Sequence, residues 1–187
     1  MRRRAAALMT ALALLLLPAC GRNTAGEAFE ELRSEVSSAA SIRLSADVTA
    51  AGESPETYSL TLTGSGGEYA VTLTAPASLA GVSVRFGSGG ERLEYAGLVL
   101  DAGELNCSGL SAITALPLLA SALAEAHVAL SWSEGEESVV SLVPDDSTGI
   151  DLRLDAGGRP VSAEFISTED GRVLAECAIT EFSTSDT

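Results

Sequence analysis

The chain has 187 residues, 46% of them hydrophobic and 20% charged. Its 26 acidic residues outnumber 11 basic ones, every one an arginine, and the formal net charge is −15. That apolar content argues against disorder and leaves enough for a real core. The charge argues against a nucleic-acid binder, which needs a basic face.

The N-terminus reads Met1-Arg2-Arg3-Arg4, then an apolar run from Ala5 to Leu17, then Pro18-Ala19-Cys20-Gly21. A cationic start, an apolar stretch and small residues form the pattern of a cleaved export signal. The run is shorter than the roughly 20 residues that span a bilayer as a helix. Leu17-Pro18-Ala19-Cys20 resembles the lipobox of bacterial lipoproteins. The resemblance implies that the Cys20 thiol receives a diacylglycerol and becomes the new N-terminus, with two or three acyl chains of the palmitate kind giving stable membrane attachment. The expected division is a signal over 1–19, a lipidated tether over 20–26 and a single domain over 27–187. Removing residues 1–19 takes 187 residues to 168 and 11 basic residues to 8 against 26 acidic, a net charge of −18. Such a surface resists lying flat on anionic lipid and suits a solvated domain held on a tether.

Thr24-Ala25-Gly26-Glu27 is a capping box. Phe29, Leu32 and Val36 follow at helical spacing, so a first helix is predicted to end near Ala40. From Ser41 the period changes to 2. Ile42, Leu44, Ala46 and Val48 alternate with polar residues, as do Tyr58, Leu60 and Leu62, then Tyr69, Val71 and Leu73, then Val82, Val84 and Phe86. Leu93 and Tyr95, then Leu98 and Leu100, complete the run. Gly64-Ser65-Gly66-Gly67-Glu68 recurs as Gly87-Ser88-Gly89-Gly90-Glu91, and glycine suits both to hairpin turns. Leu110 to Ala126 is rich in Ala and Leu. Pro117 divides it, which predicts a helix starting at or just after the proline. Alternation resumes with Val128, Leu130 and Trp132 and continues through Val140, Leu142, Ile150, Leu152, Leu154, Val161, Ala163 and Phe165. A last strand covers Arg172 to Phe182, and Ser183 onward reads as a polar tail.

The order is helix, about six strands, helical insertion, about five strands. It specifies an α+β fold with an antiparallel sheet of about 10 to 11 strands, and a sheet that large would curl. Its apolar face must be covered, by the N-terminal helix and the mid-chain helical insertion. This order, with Ala75-Pro76 closing a strand, Leu93-Glu94-Tyr95-Ala96-Gly97 in a hairpin and Arg159-Pro160-Val161 at a late strand, resembles the lipoprotein-carrier superfamily of LolA/LolB-like fold. It is also similar to germination-linked lipoproteins of spore-forming Gram-positive bacteria. The resemblance implies a curved antiparallel half-barrel lidded by these two helices, and a hydrophobic cleft for an acyl chain, lipid or lipidated protein, with Leu60, Leu62, Val71, Leu73, Val84, Phe86, Leu93, Tyr95 and Trp132 as candidate lining. The family's periplasmic carrier is soluble, whereas this chain carries its own anchor. That departure implies a stationary binding protein at the extracytoplasmic face of the cell membrane rather than a shuttle. The alternatives are that these residues are ordinary core, and that the protein is an envelope or spore interaction lipoprotein with a protein partner and no lipid cleft.

Cys107 and Cys177 remain in an oxidising compartment, where they form either a disulfide or two buried thiols. His127 is the only histidine and reads as a solvated junction residue. No Gly-x-Ser-x-Gly elbow is present. Asp145-Asp146-Ser147-Thr148-Gly149 with Asp151 lacks EF-hand spacing and reads as a solvated turn. Glu134-Gly135-Glu136-Glu137 reads as a hairpin tip. No catalytic residue, metal site or cofactor is expected, and the protein is read as a non-enzyme.

Overall fold

The structure is a computed structural model that describes residues 24–52, 54–103 and 110–186, with backbone alone for 101–103. Helix α1 covers Thr24–Ser38. Strands β1 (Ser41–Ala50), β2 (Glu56–Ser65), β3 (Glu68–Ala75), β4 (Ser83–Phe86), β5 (Glu91–Tyr95) and β6 (Leu98–Gly103) follow. Helix α2 (Ala112–Glu125) precedes β7 (His127–Glu134), β8 (Glu137–Val143), β9 (Thr148–Leu154), β10 (Pro160–Ser167) and β11 (Val173–Ser185).

All eleven strands join one sheet in the order β6-β5-β4-β3-β2-β1-β11-β10-β9-β8-β7. The two meanders, β1–β6 and β7–β11, are fused along the antiparallel β1–β11 pair, and β6 and β7 are open edges. The sheet is an unclosed, curved half-barrel, as the resemblance implied. One face of each central strand is buried. On β1 these are Ile42, Leu44, Ala46 and Val48; on β9, Thr148, Ile150, Leu152 and Leu154. Alternation alone sets which face this is, because strand side chains point to opposite sides in turn.

The repeated glycine string makes two different turns. In the first, Ser65 pairs with Glu68 around Gly66 and Gly67, whose φ values of 59° and 82° form the two-residue mirror-image turn that right-twisted hairpins favour. In the second, residues 87–90 all lie in the loop between β4 and β5, closed by Gly90 N–H donating to the Gly87 carbonyl at 3.1 Å.

Two boundaries differ from the sequence reading. The mid-chain helix begins at Ala112, with Pro117 inside it. Ser111 and Thr114 form a reciprocal capping box, and Ala112, Ala115 and Leu116 are buried in the first turns. Capping and burial together hold a turn that the missing proline N–H would otherwise weaken. The last strand runs on to Ser185, because Ser41, Ile42 and Arg43 at the start of β1 need partners and find them in Ser185, Thr184 and Ser183.

Helix α1 buries Ala25, Phe29 and Leu32 and packs on β7, β8 and α2. Helix α2 packs on β1, β2 and β3, and its buried alanines let it approach the sheet closely. The last turn of α2 contains no basic residue, so its end carbonyls lack a local partner. Arg33 of α1 supplies one. Its guanidinium donates to the carbonyls of Ala126 at 2.6 Å and Leu123 at 3.4 Å and lies 4.6 Å from the Phe29 ring centre. Arg33→Met keeps the apolar stem but removes these donors, and is expected to cost about 1.5 to 3 kcal/mol in urea unfolding. Amide exchange in the last turn of α2 should quicken at the same time. Unchanged exchange there would show that Arg33 does not hold this helix.

Candidate lipid-binding face

The residues expected to line a cleft fall into three groups. Leu60, Leu62, Val71, Leu73 and Val84 lie on the concave face and are between 0 and 3% exposed. The first four belong to one apolar cluster with Leu116, Leu119 and Leu123 of α2. Val84 stands opposite Val71 and Leu93 in the ladder. Phe86 and Leu93 are half-buried and continue this face toward β6, while Tyr95 at the next hairpin is 47% exposed.

Trp132 is the correction. A bulge at Ala129 separates the pairs Val128–Leu142 and Leu130–Ser141. One extra residue reverses the facing of everything beyond it. Val128 therefore packs inward against the core, whereas Leu130 and Trp132 face outward. Trp132 pairs with Val139, which also faces Arg153, and the indole donates to Glu134 at 3.2 Å. The tryptophan belongs to the convex surface and does not line a concave cleft.

At the end of α2 a groove of about 280 Å³ is lined by Val36, Ile42, Tyr69, Ala120 and Ala124, among others. It shares Ile42, Gly64 and Tyr69 with a cleft of about 820 Å³. Gly64 is required here, since a Cβ would lie 2.6 Å from Tyr69 Cδ1 and 2.9 Å from Ile42 Cγ2. Burial, then the charge of Glu125, pushes the Tyr69 phenol above its ordinary range. The cleft also holds Arg43, Arg85 and Arg92, which with Thr63 and Ala70 form one cross-strand row. Arg43 and Arg85 are paired with Glu181 and Glu94, each at 3.2 Å and exposed, so these pairs contribute little to stability. Composition could not reveal this row, because it depends on strand register.

Cys177 is a buried thiol on the concave face, pushed up to about 12 by burial and then by the charge of Asp47. Cys107 and Cys20 lie outside the described residues. The thiolate is the reactive form, so Cys177 in the folded protein is expected to resist iodoacetamide at pH 8. Peptide mass mapping should find it alkylated only after denaturation; labelling of the native state would contradict this burial. Because the folded value exceeds that of an unfolded thiol, the group's stabilising contribution is full below about pH 8.5 and lost as pH rises toward 12.

His127 is exposed at the start of β7. Asp145 Oδ1 accepts from Ser147 N–H and hydroxyl, both at 2.7 Å, and from Thr148 N–H at 2.8 Å. Partial burial pushes this carboxyl up, but those bonds outweigh it and hold it below its ordinary range. Its Oδ1 is thus committed to the turn before β9. Among the described residues, no group of three or more His, Cys, Asp or Glu is placed to hold a metal ion, and no helix is long and apolar enough to cross a membrane.

No protein-family model matches the chain, and no curated protein does. It is similar to several solved structures. One is an uncharacterised conserved protein of Thermus thermophilus, at 15% identity and a TM-score of 0.49 over 88% of this chain and 89% of that one. Another is a LolA superfamily protein of Nitrosomonas europaea, at 13% identity and a TM-score of 0.45 over 87% and 94%. A third is from the complex of the CwlD amidase with the GerS lipoprotein of Clostridioides difficile, at 18% identity and a TM-score of 0.35 over 85% and 91%. The fold is an open, curved half-barrel, with two helices on the concave side of an eleven-stranded sheet.

Proposed function

We propose that the protein is a non-enzymatic lipoprotein, held by lipid on Cys20 at the extracytoplasmic face of the cell membrane, that binds an acyl chain or a lipidated protein on its concave face. The observation that carries this reading is the concave face itself. It is apolar across both meanders, and Thr148 is the one buried polar residue among those described. Such a surface can hold hydrocarbon but offers nothing to orient a polar substrate.

Helix α2 occupies this face, so a ligand would have to exchange with it. Lifting Leu116, Leu119 and Leu123 into water costs about 2 kcal/mol each, roughly 6 kcal/mol together, whereas an acyl chain of about 16 carbons contributes about 12 kcal/mol on burial. The groove beside Ala120 and Ala124 is where the exchange would begin.

The complete burial of Leu60, Leu62, Val71 and Leu73 favours a second reading, an envelope interaction lipoprotein whose concave face is only a core. Native mass spectrometry of protein purified from bacterial membranes and exchanged out of detergent distinguishes the two. The first reading expects a bound species of lipid mass in addition to the covalent anchor, lost in Leu73→Trp. A mass accounted for by the chain and its anchor alone, with no uptake of added fatty acid, would leave the second.

A further inference from the structure

The bulge at Ala129 leaves an apolar surface that the concave-face reading does not use. On the outer face, Leu130 is 66% exposed, and Trp132 and Val143 are 37% exposed each. Leu130 and Trp132 lie on β7, an open edge of the sheet, and Val143 ends the neighbouring β8. Leu130 pairs with Ser141, two residues from Val143, and Trp132 lies two residues further along β7, so the three share one face of this corner; exposed apolar side chains grouped on one face mark an interaction surface.

The start of the domain indicates which. The Thr24 hydroxyl lies 3.4 Å from that of Ser133, the residue after Trp132. The Ser133 side chain points to the other face of β7, so Thr24 sits across this edge strand from the patch. Only Gly21, Arg22 and Asn23 separate Thr24 from Cys20. Full extension therefore keeps Cys20 within about 14 Å of Thr24. An acylated Cys20 would hold this corner of the sheet at the lipid surface at high effective concentration. The other exposed apolar strand, β6 with Leu98, Val99 and Leu100, is at the opposite edge of the sheet.

We infer that Leu130, Trp132 and Val143 form a membrane-docking patch that seats the β7–β8 corner in the bilayer interface beside the anchor. Tryptophan suits this role, because its amphipathic ring settles at headgroup level. Docking rests on apolar contact alone. The adjacent hairpin carries Glu134, Glu136 and Glu137 against Arg153, so an anionic surface should weaken it. The inference rests on the proposal that Cys20 is lipidated.

Trp132 is the sole tryptophan and is its own probe. The full lipidated protein, extracted from bacterial membranes, is reconstituted into phosphatidylcholine vesicles with and without brominated acyl chains. Docking expects blue-shifted emission, strong quenching by brominated lipid, several-fold weaker quenching by acrylamide than in Leu130→Glu, and a smaller effect in phosphatidylglycerol vesicles. Both proteins should float with the vesicles. Protein that does not float refutes lipidation, and docking falls with it. Protein that floats while Trp132 stays open to acrylamide and unaffected by bromine overturns docking alone. A tryptophan shielded from acrylamide yet untouched by bromine overturns it in favour of a second copy of the chain covering the patch.

Discussion

Cys20→Ala is expected to abolish lipid attachment. In bacteria fed labelled palmitate, the wild-type protein should carry label and the variant none, while Cys107→Ala should label like wild type. Each buried methylene contributes about 0.8 kcal/mol, so one chain binds marginally and two or three give stable attachment. Among the described residues no helix is long and apolar enough to cross a bilayer. Loss of the label should also remove the 14 Å restraint on Thr24, and with it the blue shift of Trp132. Label persisting in Cys20→Ala would place the acyl group elsewhere and would undo both the anchoring and the docking arguments.

Much of this fold could be read from periodicity because its strands are half-buried. A strand with one wet face writes its orientation into every second residue. Ile42, Leu44, Ala46 and Val48 are all buried as their alternation required. The misreadings occur where local pattern and tertiary context disagree. Val128, Leu130 and Trp132 alternate cleanly, and no residue type marks the bulge at Ala129 that turns the last two outward. Pro117 is a helix breaker by itself, yet capping at Ser111 and burial of Leu116 and Leu119 outweigh it. The apolar face was legible as a face, but whether it is lined or filled depends on how closely α2 approaches. That distance follows from buried Ala115, Ala120 and Ala122, small residues whose meaning appears only in three dimensions. Arg33 is a similar case: its reach to the end of α2 depends on how the two helices cross, which the sequence does not encode locally.

Phe165→Ala is expected to cost about 3 to 5 kcal/mol, a third or more of the stability of an ordinary domain. Phe165 is fully buried on β10, opposite Ile150 of β9 and Ala175 of β11. Ala163 and Ala175 belong to the same cluster, and side chains this small cannot fill the space the ring vacates. By contrast, Leu130→Ala removes a side chain already in solvent and should stay within about 0.5 kcal/mol in the absence of membrane. The way the Phe165→Ala protein unfolds also tests the architecture. The β1–β11 ladder and one continuous core join the two meanders, so far-UV circular dichroism, which reports the whole sheet, and Trp132 fluorescence, which reports β7, should give coincident urea transitions, shifted together in the variant. A variant whose fluorescence transition moves while part of the dichroism signal stays at the wild-type midpoint would mean that the meanders unfold separately. The β1–β11 seam would then be a junction between two units rather than the centre of one.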